Sequence, residues 1–465
     1  MKYGALAAAL LFGVPLLAIA AAAYSRVRNY LFAAMVFATV FGAHGAMNLV
    51  SRELYRGPDR GFEITAVDVA CWALMIAITV RFRGRIQWFP RSSTWLLAFF
   101  LYACVVWALA PEPLYGAFSI WKCVRMYCLY WCVVNCLKLG VQRDYLWLGF
   151  AGAASVIGLL AVQQKYLYHI YRIPATFDHS NTVPLYSNLI LPVLMIWGLR
   201  DMRRSPWRGA ISVLLSLGLV FAVVCTFSRV GILLSGMCVV GAIVWTNLRL
   251  ASMRLRVASC VLGLLMAIGA VRAAIPIIDR FRTAPPASEA ARDEFNYSAQ
   301  LILLDHPFGI GLNNFSYMLT TEQKYREHFR AMAAEEQAGV CHHIYWLTAS
   351  EMGYLGLLLY LAIVVRFTWA AFRGALKRKS PEGTLLFGVF LGIIALQASG
   401  FYEWAFRVTP VMQLFMISAA MAAAWSERRK TPLEIVSSSR VGLPACPRAE
   451  GARSALGTPG DAHHS

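Results

Sequence analysis

Long blocks of apolar residues alternate with short polar segments along most of the chain. Each block is about 17–25 residues long, the length that a helix needs to cross a hydrocarbon core of about 30 Å. The blocks are continuous and do not alternate residue by residue, so they are typical of membrane helices and not of a membrane β-barrel. The pattern therefore predicts an all-α, polytopic integral membrane protein with about 13 transmembrane helices. The predicted spans lie at about 3–24, 30–50, 65–82, 94–110, 116–137, 146–163, 184–199, 210–226, 230–247, 257–273, 344–365, 384–401 and 410–425.

Composition and charge agree with this class of protein. Of the 465 residues, 59% are hydrophobic and only 14% are charged, whereas a soluble domain has about a quarter charged residues. The net charge of +19 would suggest a nucleic-acid partner in a soluble protein. Here most Lys and Arg residues lie in alternate short loops, as the positive-inside rule requires. We therefore expect the basic residues to face a lipid bilayer, and we expect no nucleic-acid partner.

The basic loops predict the orientation of the chain. Arginine-rich loops that fall on one side contain RFRGR, DMRRSPWR, LRLASMRLR, FRGALKRK and SERRK. This side is predicted to be cytoplasmic, which places the N-terminus and the long polar segment 274–344 on the opposite face. The prediction is thus a membrane protein whose long polar segment lies on the non-cytoplasmic face.

Four regions follow from these patterns. Residues 1–273 form an N-terminal membrane region of about ten spans, and residues 345–430 a C-terminal membrane region of about three spans. Between them, residues 274–344 form a large loop on the non-cytoplasmic face, with amphipathic helices. The tail 431–465 is rich in Ser, Pro, Gly and Ala, and it is predicted to be a disordered cytoplasmic segment because it has few large apolar residues.

The large loop concentrates the candidate chemistry. It contains ARDEFNYSAQLILLDHPFGIGLNNF, which predicts an amphipathic helix, a His-Pro stop at 306–307 and a turn through Gly309 and Gly311. It ends in CHHIYWLTASEMGYLG, where His342 and His343 lead directly into a span. No other segment outside the predicted membrane is both as long and as rich in titratable groups, so we expect the reaction here.

Six basic residues depart from the charge bias by lying on the outer face. Cations held there, some of them at membrane depth, are costly unless they meet anions. The alternatives to binding a ligand are pairing with Asp68 and Glu403 or snorkelling to lipid headgroups. Lys122 and Arg125 are three residues apart and share a helix face, and for them pairing and ligand binding both stay open. The six are Lys122, Arg125, Arg229, Arg280, Arg282 and Arg292.

Arginine matches a phosphate with two parallel hydrogen bonds, which favours Arg229 and Arg292 as ligand-binding residues. Arg229 lies in the outer turn of a predicted helical hairpin, and Arg292 lies in the large loop. Arg280 and Arg282 are further candidates for substrate binding in that loop.

His342 stands at the outer boundary of the eleventh predicted span. The pKa of a histidine lies near operating pH, so His342 could accept a proton from a hydroxyl group, or it could be a boundary histidine without a catalytic role. Glu351 follows inside the span. A carboxylate at that depth is a functional candidate that could orient a histidine or neutralise an arginine.

The loop PATFDHSNTVP is a further candidate. Its polar residues Asp178 and His179 could line a sugar site or belong to a solvated connector. The eleven cysteines show no CxxC pair, and Cys341 beside two histidines has no second ligand cluster. We therefore expect neither a metal nor another cofactor.

Three motifs in this order resemble the O-antigen ligase and polymerase superfamily of bacterial inner membranes: TFSRVG, ARDEFNYSAQLILLDHPFGIGLNNF and HHIYWLTASEMGYLG. The resemblance covers about residues 170–365. It implies transfer of a glycan from an undecaprenyl diphosphate carrier to an acceptor hydroxyl at the periplasmic face, without nucleotide sugar or metal.

The resemblance also implies roles for single residues. Arg229 matches the arginine of the hairpin turn, Arg292 that of the loop helix, and His342 the histidine that opens the next span. The usual neighbour of that histidine is Asn, but this chain has His343. The choice of base between His342 and His343 therefore stays open, and His343 is a candidate for substrate binding.

Several functions share these features. A ligase, a polymerase of lipopolysaccharide or exopolysaccharide units and a protein O-glycosyl ligase differ only in the acceptor. A lipid-linked glycan flippase or a non-catalytic component of polysaccharide assembly would share the span count and the outer cations. The loop has no evident pair of carboxylates of the glycosidase type, which argues against hydrolysis.

Overall fold

The computed structural model describes residues 2–249, six positions between 253 and 263, and residues 286–330, 337–377 and 380–426. The predicted tenth span lies almost entirely outside these residues, as do Arg280, Arg282 and the tail from 431. The α-helices are α1 Lys2–Ala8, α2 Val14–Ala23, α3 Ser25–Ala38, α4 Ala66–Arg81, α5 Ser93–Ala108, α6 Pro113–Leu139, α7 Arg143–Val162, α8 Thr182–Asp201, α9 Pro206–Cys225, α10 Arg229–Arg249, α11 Pro286–Asp305, α12 Phe315–Thr321, α13 Ile344–Lys377, α14 Pro381–Ser399 and α15 Thr409–Ser426.

The chain is a helical, multi-pass membrane protein. Eight helical stretches among the described residues are long and apolar enough to cross a membrane. The predicted fourth span is the shorter apolar helix α5, and the predicted fifth is the 27-residue α6. The total of about 13 spans therefore stays a prediction. The eight are Leu6–Ala23, Arg143–Leu167, Thr182–Asp201, Pro206–Cys225, Arg229–Arg249, Ile344–Lys377, Pro381–Ser399 and Thr409–Ser426.

The prediction of one continuous helix at about 30–50 is wrong. Helix α3 ends at Ala38, and a 3₁₀ segment follows in which Gly42 has a φ of 53° that no α-helix contains. The chain then forms strand β1, Ala46–Leu49, which pairs antiparallel with β2, Phe62–Thr65. Among the described residues the fold is thus all-α apart from this two-stranded hairpin, which closes the predicted polar loop.

Helix α8 lies at the centre of the bundle. All of its residues are buried, as expected for a helix that is apolar on every side. It packs against α9, α10 and α14. Gly388 and Gly392 of α14 approach the α8 backbone so closely that an added Cβ would lie 2.8 Å from the Cα atom of Val193 and 3.1 Å from that of Leu189. Such small residues let membrane helices pack closely.

Basic loops that were predicted to be cytoplasmic contact one another at one end of the bundle. Arg143 at the start of α7 pairs with Glu382 of α14 at 3.0 Å, and Arg208 of α9 pairs with Asp144 of α7 at 3.0 Å. Arg249 donates to two carbonyl oxygens near the end of α13. These contacts join segments that the charge pattern assigns to one side, and the orientation of that side stays a prediction.

The helix after the large loop is interrupted near its start. Gly353 in α13 has a φ of 66° and a ψ of −175°, so the predicted continuous span is broken there. The turn that follows α11 docks into the break: the Gly311 amide donates to the Glu351 carbonyl at 2.8 Å, and the Tyr354 amide donates to the Pro307 carbonyl at 3.1 Å. A Cβ at Gly353 would collide with that Pro307 oxygen. Only glycine fits this position.

Candidate active site

One cavity of about 550 Å³ brings together Arg229, Arg292 and His342. Its walls come from the loop between α7 and α8, the turn between α9 and α10, helix α11, the segment before α13, and the loop between α14 and α15. The charge pattern of the sequence predicts that all five segments lie on the non-cytoplasmic side. Three residues that are far apart in the chain thus share one site.

The turn between α9 and α10 positions Arg229, and the residues around it have separate structural roles. Phe227 has a φ of 53°, which is uncommon for a residue other than glycine and reverses the chain after α9. Ser228 caps α10, because its Oγ accepts a hydrogen bond from the Gly231 amide at 3.4 Å. A Cβ at Gly231 would lie only 2.5 Å from Pro184. The TFSRVG motif therefore encodes a turn, a cap and a close contact around an exposed arginine.

Arg292 stands on the cavity side of α11. The same side of this helix buries Phe295, Ala299 and Ile302, whereas Asp293, Tyr297 and Leu304 on the other side are exposed, which confirms the predicted amphipathic helix. The helix ends at Asp305, directly before the predicted His-Pro stop. The Arg292 guanidinium lies 3.3 Å from a Glu403 carboxylate oxygen and remains partly exposed to the cavity.

The His342 ring is oriented by the same carboxylate. Its Nδ1 lies 3.4 Å from Oε2 of Glu403. An ionised carboxylate can only accept hydrogen bonds, so this contact requires a proton on Nδ1. In the neutral ring the Nε2 lone pair is then available to accept a proton.

His343 has a different task. It precedes the first residue of α13, and its Nδ1 accepts a hydrogen bond from the Trp346 amide at 3.3 Å. This is the bond that an N-cap residue makes, and Asn is among the preferred N-caps. His343 also packs edge-on against Phe401. Burial lowers its pKa below the ordinary histidine value. A histidine thus makes the capping bond here, at the position where the resemblance implies an Asn.

Glu403 is the residue that sequence reasoning missed as a member of the site. The sequence considered it only as a partner for the outer cations. The structure pairs Glu403 with Arg292, but not with Lys122 or Arg125. Burial alone would raise the pKa of Glu403, but the hydrogen bond with His342 and the charge of Arg292 hold it below the ordinary value. Glu403 is therefore a carboxylate, and it faces both residues.

Lys122 and Arg125 lie outside the cavity, in buried ion pairs. Lys122 pairs with Asp59 of the loop between β1 and β2. Arg125 pairs with Glu63 at 2.9 Å and with Asp68 at 3.2 Å. Of the two alternatives that the sequence left open, the geometry agrees with pairing, and it includes the predicted contact with Asp68.

Glu351 neutralises an arginine and does not contact the histidines. Its fully buried carboxylate pairs with Arg407 and accepts a hydrogen bond from the Phe315 amide at 3.4 Å. This fixes the start of α12 and the loop before α15 to the broken helix. Of the two candidate roles of Glu351, the structure agrees with neutralisation of an arginine.

The sugar-site candidates Asp178 and His179 separate in the structure. His179 lines the cavity, whereas Asp178 is exposed and does not. The Nδ1 atom of His179 accepts a hydrogen bond from the Asn181 amide at 3.1 Å. Burial lowers the pKa of His179, and the nearby Glu403 charge offsets part of that effect.

The side chains that line the cavity are better suited to bind anions than metal cations. Within the described residues, no group of three or more His, Cys, Asp or Glu side chains is arranged to hold a metal ion. Cys341 is buried, and its thiol donates to the side-chain oxygen of Asn296 at 3.2 Å. Two arginines and a histidine face the same space, which suits a phosphate group and a hydroxyl group.

Comparison with known proteins supports an assignment for part of the chain. Residues 211–361 match the family model described as O-antigen ligase. The match covers about a third of the chain and contains Arg229, Arg292 and His342, whereas Glu403 lies beyond it. No curated protein matches the chain.

Proposed function

Since residues 211–361 make the chain a member of the O-antigen ligase and polymerase superfamily, we propose that it transfers a glycan from an undecaprenyl diphosphate carrier to an acceptor hydroxyl. The observation that carries this proposal is the single cavity that holds Arg229, Arg292 and His342. The acceptor is another glycan unit, a lipid core or a protein hydroxyl.

The reaction is a displacement at the anomeric carbon of the glycan. His342 Nε2 accepts the proton of the acceptor hydroxyl, whose oxygen forms a bond to that carbon while the bond to the diphosphate oxygen breaks. Glu403 holds the Nδ1 proton and stabilises the imidazolium that forms, as a carboxylate does in a catalytic triad. The histidine thus acts as a general base.

The two arginines stabilise the leaving diphosphate. Negative charge grows on its oxygen as the bond to the sugar breaks, and cationic hydrogen-bond donors that are already in place lower the energy of this state. Arg292 is held by Glu403, and Arg229 by the turn before α10. In this proposal the chain's own cations neutralise the diphosphate, so neither a metal nor another cofactor takes part.

The proposal places this reaction on the periplasmic side of the bacterial inner membrane. To test the orientation, cysteines would be introduced at two exposed positions, Glu322→Cys in the large loop and Arg203→Cys in a basic loop. We expect a membrane-impermeant thiol reagent to label the first in intact spheroplasts and the second only after lysis. The unsubstituted protein gives the background from the native cysteines. Labelling of Glu322→Cys only after lysis would contradict the proposed mechanism.

The function itself is tested by the glycans of a deletion strain and by transfer in purified membranes. Loss of long chains with single units retained indicates a polymerase, and accumulation of long carrier-linked chains indicates a ligase. In membranes we expect transfer to continue in EDTA. Activity that is lost in EDTA and restored by a divalent ion would contradict the metal-free mechanism. Donor that crosses the bilayer without transfer would identify a flippase.

A further inference from the structure

A chain of hydrogen bonds supports Glu403 from the side away from His342. The Asn181 side-chain nitrogen donates to Oε1 of Glu403 at 2.5 Å. The Arg172 guanidinium in turn donates to the Asn181 side-chain oxygen at 2.6 Å. Both residues come from the loop between α7 and α8, and the mechanism above assigns no task to either. The Asn181 side chain is largely buried, at 8% exposure.

The partners fix the direction of the Asn181 amide. A guanidinium can only donate hydrogen bonds and an ionised carboxylate can only accept them. The amide oxygen must therefore face Arg172, and the amide nitrogen must face Glu403. A flipped amide would place its oxygen against the carboxylate and lose both bonds.

Arg172 also reaches the turn that carries Arg229. Its Nε donates to the carbonyl oxygen of Thr226 at 3.0 Å. Thr226 directly precedes Phe227, the residue with positive φ at which the chain reverses. Arg172 therefore connects Asn181, the hydrogen-bond partner of Glu403, to the turn that positions Arg229.

We infer that Asn181, oriented by Arg172, is a positioning residue for the proposed transfer reaction. Glu403 lies between Arg292 and His342, which contact different oxygens of its carboxylate. The bond from Asn181 fixes Oε1, so that Oε2 stays directed at His342. Asn181 acts on the base through Glu403, without contact to substrate. This inference rests on the proposed function.

The competing explanation is that Asn181 only holds its own loop in shape. Gln164 offers a matched control, because its side chain makes two hydrogen bonds to Ala175 in the same loop, at 2.8 and 2.9 Å. No contact joins Gln164 to Glu403 among those the structure describes. A loss caused by a disturbed loop should therefore occur in Gln164→Ala as well.

The test is a double-mutant cycle in the membrane transfer assay. It compares the intact protein, Asn181→Ala, Glu403→Gln and the double variant at equal membrane abundance. We expect Asn181→Ala to lower kcat about 10- to 100-fold, the range seen when a supporting partner is removed. KM for the lipid-linked donor should change little, because the arginines remain. The double variant should be no worse than Glu403→Gln alone within about twofold, because both act through one carboxylate.

Two results would overturn the inference. One is an Asn181→Ala variant with the activity of the intact protein or of Gln164→Ala. The other is a double variant whose loss is the product of the two single losses, since residues that act independently give additive free energies. Either result leaves the proposed function intact if the unsubstituted protein transfers glycan.

Discussion

Replacement of His342 by alanine should reduce glycan transfer by at least about 10²-fold, because general-base catalysis contributes about 10²- to 10⁴-fold. The ring is the group of the cavity that can both accept a proton and be oriented by a carboxylate, Glu403. Transfer would be measured in membranes with a lipid-linked donor, after the abundance of the variant has been matched to that of the intact protein.

The adjacent histidine provides the control. His343→Asn should keep near-normal transfer, because asparagine can make the same cap to the Trp346 amide. It also introduces the residue that the resemblance implies at this position. If His343→Asn abolished transfer while His342→Ala kept it, the two assignments would be reversed. If neither variant changed transfer, no histidine would act as the base.

Arg229→Lys and Arg292→Lys should each reduce transfer by about 10²-fold or more, the loss expected when one stabilising donor of a transition state is removed. Lysine keeps the positive charge but loses the planar fork that bonds two phosphate oxygens at once. In Arg292→Lys the contact with Glu403 is also altered. The measurement is the same transfer assay, with membrane insertion checked for each variant.

Arg326→Lys is the matched control for this pair. Arg326 lies in the same large loop as Arg292 but does not line the cavity. It should therefore tolerate lysine. Near-normal transfer in the lysine variants at 229 and 292 would show that these residues supply long-range charge alone.

Sequence patterns were sufficient wherever a feature depends on neighbouring residues. The amphipathic helix that carries Arg292 follows from periodicity, and its end follows from the His-Pro pair. The turn at Arg229 and the start of the helix after His342 also lie at their predicted positions. These are short-range signals, and the structure gathers the three residues in one cavity.

Contacts between distant segments could not be predicted in this way. Glu403 lies in a short loop without periodicity, 61 residues after His342, and no local feature indicates which cation it meets. Lys122 pairs with Asp59, which lies in the loop between β1 and β2. The sequence pattern assigned β1 to a membrane helix, so this contact could not be predicted. The break at Gly353 could not be predicted because it depends on the turn that docks there, 42 residues earlier at Gly311.

That docked turn closes the backbone into a ring. From His342 the chain runs along α13 to Gly353, crosses by hydrogen bonds to Pro307, and returns along α11 to Arg292, which meets His342 again through Glu403. The ring sets the distance between His342 and Arg292. The residues between 312 and 341 are not part of this ring. Removal of one residue from α11 between 293 and 305 would turn Arg292 by about 100° and carry it away from Glu403.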